Sequence, residues 1–186
     1  MKPIPAIAAI LAGVIFLYAC SKPAALVVGR NSVGPITVQT PFEVDAIVHL
    51  LPQYKASEAM SSALEPGARV IRVMDGDRTL LELYPSGDGK HVQSVLILSD
   101  IVRDDAGIHI GSYFRDIFPP SKPTGCMAGA MEKRGRIYCP QSGSNRIIYE
   151  LQGTPPAPDG QVPPPETLLD WHVTAILWDG DDTSRN

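Results

Sequence analysis

Three closely spaced strand patterns between residues 69 and 100 limit the folds open to this chain. RVIRVMD, RTLLELY and HVQSVLILSD are rich in aliphatic residues, and they are joined by Asp75-Gly76-Asp77 and by PSGDGK. Connections this short join antiparallel neighbours, because parallel strands need a crossover of a dozen or more residues. The stretch therefore predicts an antiparallel three-stranded meander.

A later strand pattern is similar to the third strand of this meander. HVQSVLIL (91–98) and HVTAILW (172–178) share their opening and their apolar spacing, and each follows an upstream strand, TLLEL in one case and RIIYEL in the other. The similarity indicates that both segments are central strands of one sheet. It leaves open whether the chain contains a true internal repeat.

Short helical patterns interrupt the strands. Thr40-Pro41-Phe42-Glu43 has the form of a capping box, and the apolar spacing that follows predicts a helix over about 41–51. SYFRDIF predicts a second helix with Ser112 as its cap, and PETLLDW predicts a third of one or two turns. The predicted fold class is α+β: a single small domain, mainly antiparallel β-sheet with two or three short helices.

The amino-terminal segment has the features of a secretory signal. Lys2 precedes the apolar run AIAAILAGVIFLY, which is shorter than the roughly 20 residues that a helix needs to cross a bilayer. The run ends at Leu17-Tyr18-Ala19-Cys20, which resembles the lipobox of bacterial lipoproteins. That resemblance implies cleavage before Cys20 and lipid attachment to its sulfur, and Ser21 implies sorting to the outer membrane. An ordinary secretory signal or an uncleaved anchor is the alternative.

These features divide the chain into four predicted segments. They are a lipoprotein signal peptide (1–19), a lipidated amino terminus and tether (20–34), the α+β domain (35–178) and an acidic disordered tail (179–186). Loss of Lys2 with the signal leaves 15 Lys and Arg against 20 Asp and Glu, a net charge of −5. This balance argues against nucleic-acid binding, which needs clustered basic residues.

Two cysteines remain once Cys20 is assigned to lipid. An oxidising periplasm predicts a disulfide between Cys126 and Cys139, which would close a loop of about 14 residues and stabilise the fold by about 3 kcal/mol. A redox-active pair is an alternative, although the spacing lacks the C-x-x-C form. Zinc binding is less favoured, because no histidine lies nearby in the sequence.

The sequence contains no recognisable catalytic or cofactor-binding motif. It has no G-x-S-x-G elbow, no H-E-x-x-H, no Walker A loop and no dinucleotide fingerprint. Ser99 and Asp100 with His109 are residue types found in hydrolases, and His91 and His172 open two strands in similar phase, as a metal pair would. Both arrangements occur readily by chance, so we predict no catalytic residue, no metal and no cofactor.

Two acidic stretches are weak candidates for calcium. Asp100, Asp104 and Asp105 lie in one predicted loop, and Asp179-Gly180-Asp181-Asp182 lies near the carboxyl end. Neither has the ligand spacing of a calcium loop, with its glutamate at the twelfth position. A solvated turn and a charged, soluble tail are the favoured interpretations.

An ordered set of short motifs resembles a known family. LSDI (98–101), GIHIG (107–111) leading into SYFRDIF, the two later cysteines and APDGQVPPPETLLDWHVTAILW (157–178) are similar to the RpoE-regulated lipoprotein family of Gram-negative bacteria, a domain-of-unknown-function family. The resemblance covers about residues 34–178. It implies a lipoprotein signal, a small α+β domain and expression in the sigma-E envelope-stress response, and it supplies no site residue.

Two classes of function follow from these patterns. The first is a non-enzymatic lipoprotein on the periplasmic face of the outer membrane, held by its lipid anchor and binding another envelope component, for which an envelope protein is a candidate, through a loop or a sheet edge. The second is a small periplasmic enzyme or metal-dependent factor. Its site would be assembled from scattered Asp and His residues, so it requires Asp100, Asp105, His109 and His172 to converge in one pocket. The absence of motifs favours the first class.

Overall fold

An antiparallel β-sheet forms the centre of the molecule in the computed structural model, which describes residues 26–119 and 125–181. The strands are β1 Val27–Val28, β2 Lys55–Met60, β3 Arg69–Asp75, β4 Arg78–Pro85, β5 Val92–Ile97, β6 Arg103–Asp104, β7 Met127–Ala128, β8 Arg136–Pro140, β9 Ile147–Gln152 and β10 His172–Asp179. The helices are α1 Val44–Leu50, α2 Phe114–Ile117 and α3 Pro165–Leu168, with a 3₁₀ turn at Met131–Lys133.

Eight strands make up the main sheet, in the order β2-β3-β4-β5-β10-β9-β8-β7. The predicted meander is confirmed as β3, β4 and β5, and Gly76, with a φ of 58°, allows the tight β3–β4 hairpin. The order reads as two four-stranded meanders that meet where β5 pairs with β10, with Ile97 opposite Ile176. The prediction that 91–98 and 172–178 are central strands of one sheet is therefore confirmed.

One face of this sheet carries the main hydrophobic core. Each helix contributes a buried side chain to it: Ile47 from α1, Phe114 from α2 and Leu168 from α3. Trp171 and Trp178 are fully buried in the same core. The opposite face carries a smaller apolar cluster and no helix of the described residues packs into it. The structure is thus a small single domain of mostly antiparallel sheet, as predicted, although its sheet content is closer to a mainly-β fold.

Parts of the predicted tether and tail belong to the described domain. Leu26, Val28 and Val33 are buried in the core, and β1 pairs in parallel with β6, so residues 26–34 belong to the domain. Asp179 ends β10, and the N–H of Gly180 donates to the carbonyl of Gln93 at 2.9 Å. The predicted signal peptide, Cys20 and residues 182–186 lie outside the described part of the chain.

Both predicted helix caps are wrong. Helix α1 begins at Val44, because the segment before it is extended and pairs with the strand region near β5: Phe42 N–H donates to Lys90 O, and Thr40 O accepts from Val92 N–H. The Thr40 hydroxyl accepts instead from the N–H of Thr37. Ser112 Oγ likewise accepts from an N–H outside α2. Pairing across the fold here prevails over a local capping signal.

No helix in the described ranges is long and apolar enough to cross a membrane.

Gly153 leaves space for a core tryptophan, and this predicts a sensitive position. A Cβ atom on Gly153 would overlap the indole ring of Trp171. We expect Gly153→Ala to reduce the free energy of unfolding by about 1–3 kcal/mol, since overpacking a buried site costs that much. Urea unfolding followed by tryptophan fluorescence measures the change.

Gly87→Ala is the matched control for this variant. A Cβ atom on Gly87 would meet no other atom within 4 Å, and the residue has no left-handed backbone angle, so its replacement should change stability by less than about 0.5 kcal/mol. Equal stability of the two variants would contradict the packing assigned to Trp171.

Candidate functional site

The face of the sheet without helices contains an apolar groove. Its floor is formed by five side chains that lie on β5, β9 and β10 or directly after β5. They are Leu96, Leu98, Ile148, Ala175 and Leu177. Leu96 lies directly opposite Leu177, and Leu177 lies opposite Ile148, so these side chains form one cross-strand row. The open-face groove, as we call it, encloses a cavity of about 320 Å³.

The walls of the groove come from two loops at opposite ends of the sheet. Ala63 and Leu64 follow β2, the first strand of the sheet, whereas Lys133 precedes β8 near the other end. Lys133 Nζ donates a hydrogen bond to the carbonyl of Ala63 at 2.6 Å. The sheet is therefore curved enough that loops from its two ends meet across the groove.

A buried carboxylate lies on each side of the floor. Glu82 on β4 is 1% exposed and accepts hydrogen bonds from Arg72, from Ser61 Oγ at 2.9 Å and from Tyr84 OH at 3.0 Å. The Arg72 guanidinium reaches one oxygen with both Nε and Nη2, at 3.2 and 2.8 Å. The charge of Glu82 is thus compensated within the protein, as a buried charge must be.

Glu150 on β9 has an equivalent set of partners. It is 9% exposed and accepts from Arg136 Nη1, Tyr138 OH and Thr174 Oγ1, each at 2.8 Å. In both halves of the sheet the glutamate lies next to a central strand and the arginine lies one strand further out. The two pairs hold the floor of the groove between matching polar clusters.

These two glutamates were not predicted from the sequence, although a signal was present. The upstream strands of the two similar segments, TLLEL and RIIYEL, both carry a glutamate before their last leucine, and these are Glu82 and Glu150. A single acidic residue in a strand usually indicates a solvent-facing position. Comparison of the two strands would have shown that the acidic residue recurs at one position.

Burial of the tyrosines in these clusters raises their pKa values. Burial raises the pKa of Tyr84 to about 12, with the charge of Glu82 acting in the same direction. Burial also raises the pKa of Tyr138 and of Tyr149, and each is raised further by its hydrogen bond to a carboxylate, Glu150 and Asp104 respectively. All three hydroxyls stay protonated near neutral pH and act as donors.

The raised tyrosine pKa values predict alkaline destabilisation. Because the folded-state pKa of Tyr84 exceeds its ordinary value of 10.0, its contribution to stability is complete below pH 10 and is lost as the pH rises toward about 12. We expect Tyr84→Phe to make the decline in unfolding free energy between these values less steep. Urea unfolding across that pH range measures it. Tyr113, which is 42% exposed, provides the control variant Tyr113→Phe. An equal change in the pH dependence of unfolding for both variants would contradict the prediction.

A second, shallower depression lies beside the acidic loop and has a cavity of about 470 Å³. Asp104 is 3% exposed there, and its Oδ1 accepts from the N–H groups of Ala106 and Ile108 at 3.0 and 2.7 Å. Its Oδ2 accepts from Tyr149 OH and from Gln141 Nε2. These bonds occupy both carboxylate oxygens of the buried Asp104 and hold the turn. Asp100 and Asp105 on the same loop are exposed, as the predicted solvated turn requires.

The residues of the alternative function do not line one pocket: the open-face groove is lined by none of Asp100, Asp105, His109 and His172, and the depression beside the acidic loop by Asp105 alone. Asp100 forms an exposed ion pair with Arg78, and His109 Nδ1 bonds to the carbonyl of Ile110. His172 lies at the start of β10, where its bridge partner is Tyr113. Within the described ranges, no three His, Cys, Asp or Glu side chains are grouped so that they would hold a metal ion.

His91 and His172 lie at opposite ends of two neighbouring strands. Each precedes or opens a strand, but β5 and β10 are antiparallel, so their starting points are separated by the length of a strand. The idea that they face one another as a metal pair is therefore wrong. The sequence pattern correctly placed each histidine at the start of its strand. It did not show that the two strands run in opposite directions.

The predicted disulfide between Cys126 and Cys139 is present. Cys139 is fully buried on β8, and Cys126 directly precedes β7, the short strand that pairs with β8 at the edge of the sheet. The bond therefore attaches this edge, including the turn that carries Lys133, to the core. It connects the stability of the fold to the shape of one groove wall.

Removal of this disulfide should lower the stability of the fold and loosen the groove wall that carries Lys133. We expect Cys139→Ser to lower the free energy of unfolding by about 3 kcal/mol, because a loop of this length regains that much chain entropy when it is opened. The melting temperature would fall by about 6–12 °C for a domain of this size. Limited proteolysis should then cut between residues 126 and 139. Labelling of both thiols in the unreduced native protein would contradict the prediction.

Comparison with known proteins places this chain in a family. A family model described as "Protein of unknown function (DUF1131)" matches residues 20–180, which is most of the chain. The chain belongs to this family. The match covers nearly all of the described domain and includes both sides of the open-face groove.

A relative matched both by sequence and by structure is itself described as uncharacterised. The chain is 29% identical over 153 residues to "Uncharacterized protein YfeY" of Escherichia coli (strain K12), a match that covers 81% of this chain and 78% of that protein. A solved crystal structure of yfeY from Escherichia coli has a TM-score of 0.66 and 30% identity, and it covers 82% of this chain and 99% of that one. The fold described here is thus similar to that of a solved protein.

Proposed function

We propose that this protein is a non-enzymatic, RpoE-regulated lipoprotein of the envelope-stress response. Lipid on Cys20 holds it at the periplasmic face of the outer membrane, and its domain binds another envelope component. The lipobox pattern at Leu17 to Cys20 supports the anchor, and the family match begins at Cys20 itself. A disulfide between Cys126 and Cys139 is consistent with an oxidising compartment.

The observation that carries the binding role is the open-face groove. Its volume of about 320 Å³ lies within the range of roughly 300–1,000 Å³ typical of ligand sites, and its apolar floor between a few polar groups is also typical of them. No helix of the described residues covers this face, whereas the other face is closed by all three. Catalysis has no comparable support, because the open-face groove is lined by none of Asp100, Asp105, His109 and His172 and the second depression by Asp105 alone.

Site-specific crosslinking in intact cells tests this role. Gln152 is exposed at the groove, so a photoreactive residue can replace it with little effect on the core. Glu166 on α3 is exposed on the opposite side of the sheet and gives the control position. We expect an adduct at Gln152 that is absent at Glu166 and that is lost when Ala175→Trp fills the groove. Identical adducts at both positions, or none at Gln152, would contradict the proposal.

A further inference from the structure

The open-face groove combines an elongated apolar floor with one cation that lacks an acidic partner among the residues that the structure describes. We infer that its ligand is a single acyl chain with an anionic head group, the chain lying on the floor and the anionic group meeting Lys133. This inference rests on the proposed binding role of the groove and specifies the chemistry of the ligand.

The floor fits a narrow aliphatic chain. The row Leu96, Leu177 and Ile148 runs across three adjacent strands, and Ala175 beside it leaves room that a larger side chain would fill. The five floor side chains are all aliphatic, and the aromatic lining residue Tyr138 lies beside them with its hydroxyl bonded to Glu150. Aliphatic side chains on a continuous row present the surface that a methylene chain covers, with about 0.8 kcal/mol gained for each CH₂ buried.

The size of the groove limits the length of this chain. A cavity of about 150 Å³ lined by aliphatic and aromatic side chains accommodates benzene. The open-face groove, at about 320 Å³, is roughly twice as large. It therefore accommodates on the order of a dozen heavy atoms, which corresponds to one medium-length acyl chain.

The charge of the groove favours an anion. Arg136 and Glu150 neutralise one another at 2.8 Å. Lys133 forms no ion pair with any carboxylate among the described residues, although its side chain is half-buried at the groove and Nζ donates to Ala63 O. An ammonium group has three N–H donors, so donors remain for a ligand. The groove thus carries a local positive charge in a chain whose formal net charge is −4.

An anionic group would complete the partners of Lys133. A partly desolvated ammonium without a counter-ion is unfavourable, and a carboxylate or phosphate at hydrogen-bond distance offsets that cost. The same contact would strengthen the connection between the two loops that close the groove. Fatty acids and anionic single-chain lipids share this chemistry, and the probes below separate the acyl chain from its charge.

Two photoreactive probes test the inference on the full-length protein in its own membranes. The first is dodecanoic acid with a diazirine on its chain, and the second is the matching uncharged dodecanol. Labelled peptides are mapped by mass spectrometry. We expect both probes to label peptides of the groove, the acid at least fivefold more strongly, and unlabelled dodecanoic acid to compete.

Substitutions at two lysines separate charge from folding. Lys133→Gln keeps a donor for Ala63 O and removes the charge, so it should lower labelling by the acid to the level of the alcohol and leave the alcohol unchanged. Lys133→Arg should retain the preference. Lys90→Gln, at an exposed lysine in the β4–β5 connection, is the matched control and should alter neither probe.

Each other outcome overturns a defined part of the proposal. Equal labelling by both probes, unaffected by Lys133→Gln, would overturn the anionic head group. Absence of groove labelling with the Gln152 adduct retained would overturn the acyl ligand and leave the binding role standing, with a protein segment as the occupant. Loss of the Gln152 adduct as well would overturn the proposed function itself.

Discussion

Cys20→Ala is expected to abolish incorporation of labelled palmitate and to leave a precursor that still carries residues 1–19. The lipobox interpretation makes the thiol of Cys20 the acceptor of the first lipid, and cleavage before this residue follows that step. Because each buried acyl CH₂ contributes about 0.8 kcal/mol, several chains make attachment effectively permanent and a single chain does not. Because the variant lacks the acceptor thiol, the expected effect is complete loss of the mature lipidated form.

Cys126→Ala is the control for that variant. It removes the disulfide and leaves the predicted lipobox intact, so labelling should persist at the wild-type level. Mass spectrometry of the mature wild-type protein gives the second readout. An amino terminus anywhere other than Cys20, or a terminus without acyl mass, would show that the anchor is wrongly assigned.

Glu82→Ala is expected to lower the free energy of unfolding by about 3 kcal/mol. Removal of one member of a buried ion pair costs about 3–5 kcal/mol, because the other charge is left without compensation. Arg72, at 27% side-chain exposure, retains some contact with water, so the lower end of that range applies. Ser61 and Tyr84 keep their hydrogen bond to one another and lose their shared acceptor.

A surface ion pair on the neighbouring strands provides the comparison. Glu58 and Arg69 pair across β2 and β3, and both side chains are 56% exposed, so Glu58→Ala should cost less than about 1 kcal/mol. Urea unfolding of both variants gives the difference, and Glu82→Gln should fall between them. A Glu82→Ala variant as stable as Glu58→Ala would show that the Arg72–Glu82 pair does not support the groove.

The strands were predictable where their own side chains are rich in aliphatic residues that pack on both faces of the sheet. The meander and β10 are rich in Val, Ile and Leu, and their bounds agree closely with the sequence pattern. Strand β2 was missed because KASEAM has the composition of a helix, and pairing with β3 overrides that preference. The cap at Thr40 failed for a related reason, since its backbone pairs with Val92.

The groove was not predictable from sequence because it depends on contacts between distant segments. Lys133 and Ala63 lie 70 residues apart and meet only when the sheet curls. Arg72 and Glu82 are nearer in sequence, yet their burial depends on a face that sequence alone assigns to solvent. The disulfide was predictable, because the predicted oxidising compartment and the count of cysteines left few alternatives.

Chemical analysis of the molecules that co-purify with the protein tests the central claim most directly. The full-length wild-type protein and Ala175→Trp are extracted from cell membranes in the same neutral detergent, and bound small molecules are identified by mass spectrometry after organic extraction. We predict a single-chain anionic lipid in stoichiometric amount with the wild type and its loss from a folded Ala175→Trp variant. Equal recovery from both proteins would contradict the claim that the open-face groove is the binding site, and the absence of a bound molecule from the wild type would contradict the claim that its ligand is a single-chain anionic lipid.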